Sequence, residues 1–211
     1  MNHIKHITLA LLLLTNTFCL AQKLTLNELH TISTNKNWET SNKYLLAKGW
    51  EFYNSSAGDD VSYNTISWAF QKSRIDDTKA NGWFYIYTYE DMPNKIIYRF
   101  RQKEYYKSLI QQIHAAGYKL EGEEIEDKLV VATYKNPKYT LEMSYERVED
   151  DDYSYSGSYT VYNLTVYKKG GVYDPNNGKK YDYDEDGSIA SSYFLKDGKM
   201  DGEITLFNPN G

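Results

Sequence analysis

Four groups of side chains in this 211-residue chain are of types that could do chemistry. The first is a row of amphipathic rings, Trp83, Tyr85, Tyr87 and Tyr89, with Trp68 on a neighbouring strand as a candidate fifth member. Such rings stack on sugar faces or receive an aromatic-rich protein surface. They also build second cores and cross-strand ladders, which are the structural readings of the same residues. The second group, Asp182-Tyr183-Asp184-Glu185-Asp186-Gly187, matches the opening of a calcium loop, in which alternating carboxylates (Asp182, Asp184, Asp186) converge on a cation before a glycine turn. Its twelfth position is Tyr193 where a bidentate glutamate is required, so a plain turn is the main reading and calcium the alternative. The third is the acidic run Glu149-Asp150-Asp151-Asp152, followed by Tyr153-Ser154-Tyr155-Ser156-Gly157. It reads as a solvated loop between two strands, with docking of a basic partner as the functional alternative. The fourth is His30 and His114, each on a helical stretch without a second histidine or cysteine nearby, which excludes zinc by local spacing. No nucleophile elbow, phosphate-cradling glycine loop or Cys-His pair is present, and only carboxylates paired in three dimensions would leave a route to hydrolysis. The expectation is therefore no catalytic residues, no cofactor and no enzyme activity.

The aromatic row belongs to Gly82-Trp83-Phe84-Tyr85-Ile86-Tyr87-Thr88-Tyr89, an uncharged stretch of β-branched and aromatic residues that reads as a central strand. Alternation puts Phe84, Ile86 and Thr88 on one face, suited to a helix layer, and the four rings on the other.

Residues 1–21 carry Lys5, an apolar run from Leu9 to Leu14 and a small-residue exit before Gln22, the pattern of a secretory signal peptide. Lipoprotein processing at Cys19 is the rival reading, opposed by the bulky Phe18 before it. The apolar run is too short and its flanks too polar to span a bilayer, and no later stretch approaches the length required. Cleavage would remove the only cysteine, leaving packing alone to hold a chain that can bury about 70% of its unfolded surface. The formal charge of −5 becomes one unit more negative with the loss of Lys5, which argues against nucleic acid or an anionic membrane as partner. Tyrosine, at 22 residues, exceeds the needs of an ordinary core and suits both sheets and binding surfaces.

Two short helices are expected between Leu24 and Gly49, broken at Asn35 to Asn37, with Gly49 as a C-terminal cap. Strands follow at Trp50 to Tyr53, Asn64 to Phe70, Gly82 to Tyr89 and Lys95 to Phe100. The order then repeats: a helix from Tyr105 to Ala116, then strands at Lys119 to Ile125, Leu129 to Tyr134, Tyr139 to Tyr145 and Tyr159 to Tyr167. The exit Ala116-Gly117-Tyr118-Lys119-Leu120 echoes Lys48-Gly49-Trp50-Glu51-Phe52. Residues 22–170 thus read as an α+β domain made of two pseudo-repeats, about 22–101 and 102–170, each a helical segment followed by a four-stranded antiparallel meander.

Beyond Gly170-Gly171 the grammar changes, and residues 171–211 form a separate tail. Gly178, Tyr183 and Gly187 recur at fixed spacing as Gly202, Phe207 and Gly211, a regular alternation of turn glycines and aromatics that implies stacked hairpins. The pattern Tyr193, Gly198, Asp201-Gly202, Phe207, Gly211 resembles the MORN repeat, in the bacterial variant found in many exported proteins and in proteins labelled as antitoxins. The resemblance covers Gly178 onward and one complete repeat. It implies a β-hairpin scaffold whose role is contact with proteins or membranes. The sequence therefore points to an exported interaction module, periplasmic or extracellular, with an unidentified protein partner. A glycan-binding module using the Trp/Tyr row is the alternative.

Overall fold

The computed structural model describes residues 23–58, 63–89, 92–126, 129–150, 157–171, 178–183, 189–196 and 199–207. The leader read from residues 1–21 lies outside them. Three helices are described: α1 (Leu26–Thr34), α2 (Trp38–Ala47) and α3 (Lys103–Ala115). Thr25 starts α1 through a capping box, its hydroxyl accepting from the Glu28 N–H while the Glu28 carboxylate accepts from the Thr25 N–H. Asn37 caps α2 by accepting from the Thr40 N–H. Gly49 and Gly117 end α2 and α3 at φ +80° and +77°, a left-handed conformation that side-chain-bearing residues avoid.

Eight strands follow in two runs: β1 (Trp50–Ser56), β2 (Asn64–Lys72), β3 (Ala80–Thr88) and β4 (Lys95–Phe100), then β5 (Lys119–Glu126), β6 (Leu129–Lys135), β7 (Tyr139–Asp150) and β8 (Gly157–Lys168). They form one antiparallel sheet in the order β1-β2-β3-β4-β8-β7-β6-β5. The chain is thus α+β, with the last strand of each run meeting at the centre. Elements fall within a few residues of their sequence expectations, with one correction. The acidic run does not begin a loop at Glu149, because β7 and β8 continue pairing through Glu149↔Ser158 and Asp150↔Gly157. The long hairpin carries its ladder past Val148↔Tyr159, and Arg147 Nε donates to Ser158 Oγ at 2.8 Å. Asp151 to Ser156 lie outside the described residues.

Alternation along the strands sorts the side chains. Trp68, Phe84, Ile86, Ile96, Tyr98, Phe100, Leu164, Val166 and Leu141 are fully buried on one face, against Leu29, Leu45, Leu109 and Ile113 of the helices. Each such side chain contributes about 1.5–3 kcal/mol by leaving water. Among the described residues, the helices cover this face alone.

Helix α1 lies over the central β4/β8 pair and is fastened there by polar groups from both runs. Buried Asn94 donates its backbone N–H to Ser33 O at 2.8 Å and its side-chain amide to Asn35 O at 2.8 Å. Gln112 of α3 accepts from the Leu26 N–H at 3.0 Å, and the Tyr105 hydroxyl donates to Leu24 O. His30 stacks on Tyr139 with ring centroids 4.2 Å apart and shares a 2.8 Å hydrogen bond with the Tyr118 hydroxyl.

The tail contributes a second, smaller antiparallel sheet: β9 (Gly178–Tyr183), β10 (Ile189–Lys196), β11 (Lys199–Met200) and β12 (Thr205–Leu206). Strand β10 pairs with all three others. Among the described residues, no helix is long and apolar enough to cross a membrane.

His30 gives this packing a pH signature. Burial lowers its pKa below the ordinary 6.5, so the folded protein holds it neutral while the unfolded chain takes up a proton. Stability is then full above about pH 6.5 and falls as pH drops through the window between the unfolded and folded values. Urea denaturation across that window should show stability declining in the native protein and a flatter dependence in His30→Gln. An unchanged slope in the variant would assign the decline to other groups.

Candidate binding face

The face of the eight-stranded sheet turned away from the helices carries the aromatic row. Trp83, Tyr85, Tyr87 and Tyr89 are all half-buried, whereas Phe84 and Ile86 between them are fully buried beneath the helices. Trp68 does not join the row. The β2/β3 register pairs Trp68 with Phe84, which places it on the core face, fully buried, with its indole N–H donating to Asn42 Oδ1 at 2.8 Å. The outward partners of Trp83 and Tyr85 on β2 are instead the small residues Ala69 and Ser67.

The row is not one continuous surface. Trp83 and Tyr85 stack on each other, centroids 6.2 Å apart and planes at 22°. Tyr87 lies under the ammonium of Lys95, which is 5.0 Å from its ring and 5.6 Å from the Tyr167 ring. Burial lowers the Lys95 pKa, opposed by the nearby Glu142 carboxylate. Tyr167 donates to that carboxylate at 2.6 Å, so this middle stretch forms its own polar network. Tyr89, past the end of β3, packs edge-on to Tyr63 at 5.9 Å.

At the Trp83 end a cleft of about 350 Å³ opens. Tyr53 stands at one side, its ring nearly perpendicular to Trp83 at 4.8 Å, on a β-bulge that leaves it out of the β1/β2 ladder. Arg99 of β4 and Arg101 just beyond it line the opposite side with Tyr159 and Val161 of β8. Arg99 donates to Glu146 Oε1 at 2.7 Å; with both side chains more than a third open to solvent, or close to it, this pair contributes at most about 1 kcal/mol. The Arg101 guanidinium lies 3.9 Å from the centre of the Tyr159 ring, a cation–π contact, and among the described residues no carboxylate pairs with it. Burial raises the Tyr85 pKa, with the Arg99 charge pulling the other way, so Tyr85 is a neutral hydroxyl at physiological pH. Backbone strain sits at the same end: Gln71 has φ 50°, and its side-chain carbonyl accepts from Asn81, a cleft residue.

Arg99, Arg101, Tyr53 and Tyr159 escaped the sequence reading. The signal for Arg99 was present in the alternation of Lys95-Ile96-Ile97-Tyr98-Arg99-Phe100, which sends Arg99 to the same face as Tyr85 once β3 and β4 pair.

Elsewhere, Asp182 is exposed and its carboxylate accepts from Ser191 Oγ at 2.8 Å and Tyr193 at 3.4 Å. Asp184 and Asp186 lie outside the described residues, and among the described residues no three His, Cys, Asp or Glu side chains converge on a metal position. Of the repeat positions, Gly178 and Tyr183 bound β9, Tyr193 lies within β10, and Asp201-Gly202 follow β11 with Gly202 at φ +94°. The Asp201 N–H donates to Phe194 O and the Phe207 N–H to Ala190 O, closing the turns back onto β10. Gly187, Gly198 and Gly211 lie outside the described residues.

The two faces of the sheet should respond differently to truncation. Trp68→Ala removes a fully buried ring and an indole hydrogen bond, and should cost about 3–5 kcal/mol in urea denaturation. The double variant Tyr85→Ser/Tyr87→Ser should retain the fold and lose clearly less stability than Trp68→Ala. Equal losses would make the outer row a second core.

Comparison with protein-family models, with curated proteins and with solved structures finds no match, and the reading of this face therefore rests on its own geometry and chemistry.

Proposed function

We propose that this chain is an exported, non-enzymatic interaction module that holds a protein partner on the helix-free face of its large sheet. The observation that carries the reading is the cleft of half-buried Trp83 and Tyr85 flanked by Tyr53, Arg99 and Arg101. Tryptophan, tyrosine and arginine are the residues that dominate binding energy at protein interfaces. Export follows from the leader pattern of residues 1–21. The tail adds a MORN-like hairpin surface, in keeping with β10 as the hub of a small sheet.

The reading includes a duplicated architecture, supported by matching details in the two runs. A glycine with positive φ precedes β1 and β5 alike, and each of these strands bulges shortly after it, at Phe52/Asn54 and at Leu120/Gly122. In this view two helix-and-meander units join through β4 and β8, and the binding face runs across the join.

A glycan-binding module is the second reading, favoured by the near-parallel stacking of Trp83 and Tyr85, which offers a flat platform to a sugar ring. Photo-crosslinking separates the two. With a photoreactive phenylalanine analogue at Tyr85 of the full chain, incubation with the envelope fraction of the source cell should yield a discrete protein adduct, identified by mass spectrometry and lost in Trp83→Ser. An adduct formed only when the analogue replaces Tyr193 would move the contact to the tail. No protein adduct, together with glycan-array binding that requires Trp83, would replace the first reading with the second.

A further inference from the structure

We infer that the cleft at the Trp83 end of the sheet is a carboxylate-recognition subsite that receives an extended acidic segment of the protein partner; this rests on the interaction-module reading above. The charge of the lining argues for it first. The chain as a whole is acidic, with a formal charge of −5, whereas the described lining of the cleft holds Lys79, Arg99 and Arg101 and no aspartate or glutamate. Lys79 lies 4.0 Å from Asp76 and Arg99 pairs with Glu146 just outside the lining, so Arg101 is the cation there with no carboxylate beside it among the described residues. A cationic concavity on an acidic protein attracts anions locally while the rest of the surface repels them.

The balance of donors and acceptors argues second. Guanidinium and ammonium groups only donate, and the acceptors among the described lining residues are all neutral: the Thr78 hydroxyl, the Asn81 amide, tyrosine hydroxyls and backbone carbonyls. A neutral sugar leaves the positive charge of the guanidinium unmatched. A carboxylate is acceptor-only when ionised and matches the planar fork of an arginine. Arg101 is the arginine best placed to give that fork, since its one described contact is the Tyr159 ring and the planar cation stays stacked while its edge donates.

Spacing argues third and selects a peptide. Arg99 within β4 and Arg101 one residue past its end both face the cleft, and extended backbone puts positions two residues apart about 7 Å from each other; a carboxylate reaching Arg99 would share that guanidinium with Glu146. Carboxylates at alternate positions of an extended peptide have the same period. The stacked pair Trp83 and Tyr85, also two residues apart on the adjacent strand, supplies apolar surface in the same register, and Tyr53 closes the side. Acidic groups over β4 and aromatic or aliphatic groups over β3 would satisfy both rows.

Calorimetry on the full chain tests this with three probes: a blocked Asp-Tyr-Asp-Tyr-Asp peptide, its Asn-Tyr-Asn-Tyr-Asn counterpart, and an oligogalacturonate as an acidic glycan. The expected result is binding of the acidic peptide that weakens with salt, at least tenfold weaker binding of the amide peptide, and roughly tenfold loss in Arg101→Gln with an unchanged melting temperature. Arg101 is the chosen site because Arg99→Gln would leave Glu146 without its partner and could disturb the fold. Equal affinity for the two peptides, acidic-peptide binding that Arg101→Gln leaves unchanged, or binding of the oligogalacturonate alone would each overturn the proposal. Its failure is separable from that of the broader reading. A Tyr85 crosslink to a protein partner that persists in Arg101→Gln would keep the interaction module and discard the carboxylate subsite.

Discussion

The pairing of β4 with β8 is the constraint on which the rest depends. Five consecutive pairs, from Ile96↔Val166 to Phe100↔Tyr162, join the two runs of strands into one sheet, although more than fifty residues separate the partners in sequence. Long-range ladders of this kind are costly in chain entropy until side-chain burial rewards them. The reward here comes from one side. Tyr98, Phe100, Leu164 and Val166 at the seam are buried beneath α1 and Tyr105 of α3, and α1 is held by Asn94 from the first run and by Gln112, Tyr105, Tyr118 and Tyr139 from the second. The first helix of the chain thus acts as the clasp between the halves.

One-sided cover explains the character of the opposite face. No helix lies over it among the described residues, and although Ser67, Ala69, Val161 and Tyr167 on it are buried, its rings Trp83, Tyr85 and Tyr87 stay half-exposed. It satisfies them with cations: Lys72 over Tyr53, Lys95 between Tyr87 and Tyr167, Arg101 on Tyr159. These contacts cover ring faces without closing the surface. They also leave a graded pattern, from the closed Lys95 and Glu142 network in the middle of the sheet to the open cleft at the Trp83 end, where the small Ala69 and Ser67 on β2 make room for Tyr53 and Trp83 to lean together. The two sheet edges differ as well. Strand β5 carries Glu121, Glu123 and Glu124, a charged edge of the kind that discourages further strand pairing, whereas β1 relies on its bulge and a single glutamate.

Most of the element order was legible because the local signals agree: a helix break at Asn35 to Asn37, glycine exits at 49 and 117, and strict alternation in Gly82–Tyr89 and Lys95–Phe100. Alternation also identified which half of β3 would face the helices. What it could not supply was parity between strands. Whether Trp68 shares a face with Trp83 or with Phe84 depends on the β2/β3 register, and that is set by the connection from Ser73 to Lys79, where the Ser73 N–H meets Lys79 O and the Asp76 carboxylate takes the Thr78 N–H and hydroxyl. The cleft was hidden for a related reason. Its walls come from β1, β3, β4 and β8, so Tyr53 and Tyr159 line one cleft only after the β4/β8 seam has formed. The length of the β7/β8 hairpin was underestimated because a run of acids looks like a loop, whereas cross-strand pairing keeps Glu149 in the ladder.

The account stands on the claim that the sheet has one sealed face and one open, ring-bearing face. Hydroxyl-radical footprinting of the full chain, read residue by residue by mass spectrometry, measures that claim directly. The account predicts rapid oxidation of Tyr53, Trp83 and Tyr85 together with protection of Trp50, Trp68 and Tyr98. Protection of Trp83 and Tyr85 as strong as that of Trp68 would contradict it, by showing that another part of the chain covers the face assigned to a partner.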